Sequence, residues 1–188
     1  MDAIEVFVLH HERLPMQVER DFLQGLSDAQ MRSRRDGLNS IAWHVWHIAR
    51  CEDALNLLLA GRPQVLDEER WLPRLHLSIR DVGTEMDDGE VSDLSARINL
   101  TALRDYYAAV GRRTVEVVRS LRPDALDERP DLQRLRAAGV LRDNALWVIE
   151  QRESQTKGWW LGQLGIAHSQ SHRGQATVIR LLQEGRRR

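Results

Sequence analysis

Four long stretches of the chain carry apolar side chains at every third or fourth position, and no stretch alternates cleanly between apolar and polar residues as a half-buried strand does. This period places the apolar side chains on one face of a helix, which must then pack against other elements. It predicts helices over about residues 2–25, 39–60, 91–121 and 158–185, with a kink or break in the first at Pro15. The predicted fold class is therefore all-α, a four-helix bundle with a long crossover connection.

Two segments separate the predicted helices. Residues 62–90 contain two prolines and two glycines and form a long connection, which is uncommon in a compact domain and often functional. Residues 122–157 are mixed, with one short helix expected around 132–138. Because the chain shows neither an internal repeat nor a low-complexity tract, residues 1–188 are predicted to form one domain.

The composition argues against several classes of protein. Lys and Arg number 27 against 28 Asp and Glu, a balance that argues against a nucleic-acid binder and a polybasic membrane anchor. The single cysteine, Cys51, excludes an intramolecular disulfide and any zinc site built from several cysteines. No apolar run approaches the roughly 20 residues that span a bilayer, and no secretory signal is visible. We therefore expect a cytoplasmic protein.

His168 and His172 lie at the centre of the apolar face of the last predicted helix. A spacing of four residues puts both imidazoles on one side of the helix, one turn apart, so that both can reach one ion. Imidazole is a suitable ligand for zinc, nickel, copper and iron. The same spacing is equally consistent with two buried histidines that each satisfy a hydrogen bond.

The second predicted helix offers a third histidine, because the segment WHVWHIARCED contains both His44 and His47. Helices that face each other in a bundle commonly build metal sites from their inward side chains. Three histidines with one open position are typical of catalytic zinc-like sites, whereas a fourth protein ligand, for which Glu52 is a candidate, closes a structural site. Helical periodicity favours His44, which lies nearer the centre of the apolar face than His47, but leaves both open.

Two segments, NSIAWHVWHIARCED and AHSQSHRGQ, resemble at this separation the DinB-like family of metal-binding four-helix bundles. The likeness covers roughly residues 5–183, and DVGTEMDDGEVSDLSARI is similar to the loop and helix start of one branch. Members of the family carry one histidine two turns after a Ser-initiated second helix, and an H-x-x-x-H pair in the last. The resemblance implies that Ser40 leads to His47 and that the metal ligands are His47, His168 and His172, with His44 as the second choice.

The resemblance also implies one divalent transition-metal ion, zinc or nickel, and a homodimer that acts on a small-molecule substrate. Several relatives use a low-molecular-weight thiol as cosubstrate. The functional hypothesis is a metal-dependent enzyme, either a hydrolase or a thiol S-transferase, with no catalytic residue identified. The alternative is a non-catalytic metal-binding or stress-response protein in which the ion is structural.

Other notable residues have simpler explanations. Cys51 is more often a small core residue than a ligand. A buried Glu52 needs a partner such as a ligand histidine or an arginine. One of His10 and His11 is expected to face the core, but neither has a partner motif. Four tryptophans flank the histidine segments: Trp43, Trp46, Trp159 and Trp160. Packing in the core is the simplest explanation for them, and the alternative is that they form the walls of a substrate pocket.

Overall fold

A computed structural model describes residues 2–68 and 70–185, apart from the side chains of Asp21 and Phe22. Residues 1, 69 and 186–188 of the predicted domain lie outside the described residues. The described part is all-α and contains no strand, which confirms the predicted fold class. Its α-helices are α1 (Ala3–His11), α2 (Leu14–Val18), α3 (Asp28–Arg32), α4 (Ile41–Ala60), α5 (Trp71–Leu75), α6 (Asp88–Arg97), α7 (Leu100–Ser120), α8 (Gln133–Ala137), α9 (Trp147–Glu150), α10 (Lys157–Gly162) and α11 (His168–Gln183).

Tighter and wider turns complete the helical segments. Three short 3-10 turns lie at Val65–Asp67, Pro123–Asp127 and Asp143–Ala145. There are two π-helical turns: Glu19–Leu23 follows α2, and Gln163–Ala167 joins α10 to α11. No helix in the described part of the chain is long and apolar enough to cross a membrane.

The helix α4 lies at the centre of the structure. Its start and end follow from local signals: the Ser40 hydroxyl accepts the Trp43 N–H at 3.0 Å, and Gly61 ends the helix with a left-handed φ of 66°. Within α4, every residue except Leu57 and Ala60 is buried, because the helix packs against α7, α11, α3, α8 and α10. The polar side chains of α4 must therefore find partners inside the protein.

The first predicted helix is interrupted, as Pro15 indicates. The helix α1 ends at His11 and α2 begins at Leu14, so Pro15 lies in the first turn of α2. A proline is tolerated there because the N–H that it lacks has no intrahelical partner. The predicted break is confirmed, one turn earlier than the proline itself.

The prediction of one helix over residues 91–121 is wrong. The chain breaks at residues 98–99 into α6 and α7, and the Asn99 side chain accepts the Ala102 N–H at 3.1 Å as the N-cap of α7. Apolar residues continue at helical spacing across the break and conceal it. The long connection is also more ordered than expected, since it contains the Val65–Asp67 turn and α5.

The last predicted helix is not one continuous face. The π turn Gln163–Ala167 accommodates an extra residue, which rotates the following helix by roughly 100°. Leu161 consequently belongs to the core cluster that includes the side chains of α1, whereas Ile179 belongs to the cluster that includes Met31 of α3. The Leu182 side chain is 39% exposed. A Cβ on Gly165 would lie 2.7 Å from the Phe7 ring, so glycine permits the close approach of α1 to this turn.

Candidate metal centre

Three imidazoles converge between α4 and α11. Nε2 of His168 lies 3.1 Å from Nε2 of His47 and 3.1 Å from Nε2 of His172. Two imidazole nitrogens bound tetrahedrally to one zinc at normal bond lengths are separated by about 3.3 Å. The spacing in the structure therefore matches that of nitrogens that share one ion.

No other side chain joins this group among the described histidines, cysteines, aspartates and glutamates. His47, His168 and His172 place their ligand atoms within 4.8 Å of one another. Three protein ligands leave at least one position of a tetrahedral ion for an exogenous molecule. Glu52, the predicted candidate for a fourth ligand, lies outside the group.

A backbone carbonyl orients His47. Its Nδ1–H donates to the Val82 carbonyl oxygen, and because a carbonyl only accepts, the proton of the neutral ring is on Nδ1. Nε2 is then left with a free lone pair beside His168. Burial, followed by the neighbouring His168 and His172, holds the pKa of His47 well below its usual value of 6.5. His47 is thus a neutral nitrogen donor at neutral pH.

His168 and His172 are also neutral. Burial lowers the pKa of His168 to about 3, with a further contribution from His172. Burial lowers the pKa of His172, although a hydrogen bond that the ring donates to Gln175 acts to raise it. A single N–H among three converging Nε2 atoms can point directly at only one other nitrogen, so at least one lone pair lacks a good donor. A cation bound among the three Nε2 atoms satisfies all three lone pairs, so this donor set fits a metal ion.

His44 contacts His172 but is not a member of the triad. Its Nδ1 is 3.1 Å from Nδ1 of His172, and its pKa is lowered to about 3 by burial and by the proximity of His172. The structure brings His47, not His44, together with the α11 pair. Periodicity failed to separate the two because both lie on buried surface of α4.

The long connection that supplies the Val82 carbonyl is held on α4 by a buried polar network. The Asp53 carboxylate accepts the Val65 and Leu66 N–H groups at 2.7 and 2.9 Å. Arg50, also fully buried, donates to Asp53 at 3.1 Å and to the Arg80 carbonyl. The connection is therefore fixed to within two residues of Val82.

Two tryptophans of α4 pack around His47 and the segment that supplies the Val82 carbonyl. The Trp43 ring stacks on His47 with a centroid distance of 4.5 Å and an interplanar angle of 14°. Gly83 follows Val82 with a left-handed φ of 81°, and a Cβ there would lie 2.5 Å from the Trp46 ring. A glycine is thus required where the chain turns away from the carbonyl.

A cavity of about 270 Å³ reaches the triad, and His47 and His168 form part of its wall. Of the tryptophans that flank the histidine segments, Trp160 lines the cavity, and so does Trp147, which sequence reasoning did not single out. The cavity therefore gives a small molecule access to two of the three histidines, His47 and His168.

Cys51 also lines this cavity, with Sγ 3.8 Å from Nε2 of His47. Burial raises the pKa of its thiol to about 12. Burial therefore favours the protonated thiol, which is a poor nucleophile.

Glu52 has a partner that sequence reasoning missed. Its Oε1 lies 2.7 Å from Nε2 of His11 and accepts the Thr114 hydroxyl at 2.6 Å. His11 is 41 residues earlier in the chain, and only the packing of α1 against α4 and α7 reveals the pair. The predicted need for a partner is met, but by a histidine outside the triad and not by a ligand histidine or an arginine.

Comparisons with known proteins agree with this architecture. The sequence model of the DinB superfamily matches residues 16–176. The crystal structure of a conserved protein from Enterococcus faecalis superposes with a TM-score of 0.74, 19% identity and coverage of 99% of each chain, a likeness that shows the fold alone. No curated protein matches. Since the family match spans most of the sequence, the chain belongs to the DinB superfamily.

Proposed function

We propose that this protein binds one divalent transition-metal ion, zinc or nickel, through Nε2 of His47, His168 and His172, and that it is a metal-dependent enzyme for a small molecule. The observation that carries the proposal is the convergence of three neutral imidazoles at 3.1 Å spacings beside an accessible cavity. Neutral imidazole is the form that ligates a metal, so no proton has to leave before an ion binds at neutral pH.

A bound ion would supply a Lewis acid that lowers the pKa of a water or thiol ligand. The protein's own groups orient the donors: the Val82 carbonyl holds His47 in the Nδ1–H form, and His44 can accept Nδ1–H of His172. Both contacts leave Nε2 free. We assign His44 a positioning role on this basis.

The nucleophile in this proposal comes from outside the protein. Cys51, the single cysteine of the chain, is a thiol whose pKa burial raises to about 12. Water or a low-molecular-weight thiol is then the reactant, which supports a hydrolase or a thiol S-transferase. A second candidate function is a structural metal site, favoured by the burial of His47 between two helices of the core.

Cobalt-substituted protein separates these candidates. An open coordination position predicts that 2-mercaptoethanol or imidazole changes the visible absorption spectrum, and that thiol binding strengthens as pH rises toward the thiol pKa. A site filled by protein ligands gives no response. An unchanged spectrum at millimolar thiol across pH 6–9 would refute the enzymatic proposal and leave the structural one.

The homodimer implied by the family resemblance remains a proposal. Exposed apolar side chains on α11, Val178 and Leu182, are 51% and 39% exposed and are compatible with a subunit contact. Light scattering at tens of micromolar protein measures the mass directly, and a monomer would contradict the proposal.

A further inference from the structure

The cavity beside the triad connects buried and exposed parts of the surface. Its lining includes His47 and Cys51, both buried, and His168. The same lining includes Trp147, which is 39% exposed and so marks where the cavity reaches the surface. A ligand that enters past Trp147 therefore has its leading end at the histidines and its trailing end at the surface.

Most of the cavity wall is apolar. Aliphatic and aromatic side chains from α4, α8, α9 and α10, and from the segments that follow α8 and α10, dominate the lining; examples are Ala54, Leu135, Val140, Ile149, Trp160 and Leu164. An apolar cavity of ~150 Å³ in a protein interior accommodates a benzene molecule. By that scale, a cavity of about 270 Å³ holds about ten or eleven non-hydrogen atoms.

Arg152 is the one permanently charged side chain in the described lining, which includes no aspartate, glutamate or lysine. Its guanidinium donates to the Val148 carbonyl at 2.8 Å and lies 5.7 Å from the Trp147 ring centroid. Within the described residues Arg152 makes no ion pair, whereas Arg142 pairs with both Asp81 and Glu90. The remaining guanidinium donors of Arg152 are therefore available to an anion.

From these features we infer that the cavity binds a small apolar carboxylic acid, with its hydrocarbon body against the apolar wall and its carboxylate on Arg152. A guanidinium recognises a carboxylate in a bidentate geometry. The inference rests on the proposed function, because it names the substrate class of the same site: the end of the ligand away from Arg152 is the end presented to the histidines.

Phenylacetate, with ten non-hydrogen atoms, and phenylacetamide, its neutral isostere, test the inference by isothermal titration calorimetry. We expect phenylacetate to bind about tenfold more tightly than the amide, and acetate, which lacks the ring, to bind more weakly than either aromatic compound. R152Q should abolish the preference for the acid without changing the affinity for the amide. R152K, which keeps the charge without the planar fork, should retain part of it. R136Q removes an exposed arginine outside the cavity and is the matched control.

The same titrations on chelator-treated, metal-free protein separate this inference from the metal-dependent function. The preference for phenylacetate should persist there, even if the proposed metal function proves wrong. Loss of the preference on metal removal, together with unchanged binding to R152Q, would place the carboxylate on the metal and overturn the assignment to Arg152. Equal binding of acid and amide, or no binding of either, would overturn the substrate class. Circular dichroism of each variant confirms that it is folded.

Discussion

Two clusters that contain histidine lie on different sides of α4, one formed by the triad and the other by His11, Glu52 and Thr114. They differ in whether a carboxylate is present. His47 contacts His168 and His172 with no carboxylate in the ligand group, and burial lowers the pKa of all three. His11 is as buried as His47, and burial alone would lower its pKa too, but the charge and hydrogen bond of Glu52 raise it above 6.5. A carboxylate partner therefore decides whether a buried histidine becomes a cation or remains a neutral donor.

The difference has opposite consequences for stability. A raised folded-state pKa means that His11 stabilises the fold below its unfolded pKa of 6.5, and that this contribution is lost as pH rises through the folded value. The lowered values of the metal-free triad mean that its contribution is present above 6.5 and is lost as pH falls toward the folded values, which is about 3 for His168. The His11–Glu52 group behaves as an ion pair, and the triad behaves as a set of neutral nitrogen donors.

The largest expected effect is on metal content. His168→Ala or His172→Ala should reduce about one ion per chain to nearly none, because each removes one of three nitrogen donors. His11→Ala, which removes a buried histidine of the other cluster, should leave metal content unchanged. Elemental analysis of the purified proteins measures both. Equal metal content in all three variants would show that the two clusters do not differ as proposed.

The next largest effect concerns the folding free energy. Glu52→Ala removes the carboxylate that His11 and Thr114 share, and should cost about 3 kcal/mol in urea unfolding, since it leaves buried partners unsatisfied. Metal affinity should hardly change, because Glu52 lies outside the ligand group. Loss of the metal from folded Glu52→Ala protein would instead place this carboxylate in the metal site.

A smaller effect should separate His44 from the ligands. His44→Ala removes the acceptor for Nδ1–H of His172 and should weaken metal binding about tenfold, measured by competition with a chelator. His44→Asn offers a side-chain oxygen and should recover part of the affinity. Complete loss of metal from His44→Ala, combined with full retention by His47→Ala, would reverse the assignment.

The smallest effect is on the pH dependence of stability. Between pH 8 and pH 6, wild-type protein should gain stability relative to His11→Gln by less than about 1.4 kcal/mol per pH unit, because the folded state takes up a proton at His11 beside Glu52 and Glu12. In metal-free His11→Gln protein, stability should fall as pH drops below 6.5. Urea titrations at several pH values give both slopes, and parallel slopes in the two proteins would contradict the ion pair.

Local signals in the sequence determined several elements. Ser40 and Gly61 are a cap and a terminator that act within one turn of α4, so the helix lies where its pattern predicts. His168 and His172 share a face of α11 for the same reason, since four residues are nearly one turn. The break between α6 and α7 was missed, although Asn99 is a recognisable N-cap, because the apolar period runs through it.

Only the tertiary structure decided the partners of the buried polar groups. Glu52 pairs with His11 across 41 residues, and His47 donates to the carbonyl of Val82 across 35. On α4 alone, His44 and His47 are equivalent, since that helix is buried on nearly every side; the register of α11 after its π turn brings the pair beside His47. Helix caps and periods are set by hydrogen bonds between near neighbours, whereas these contacts depend on how distant helices pack, which no local pattern specifies.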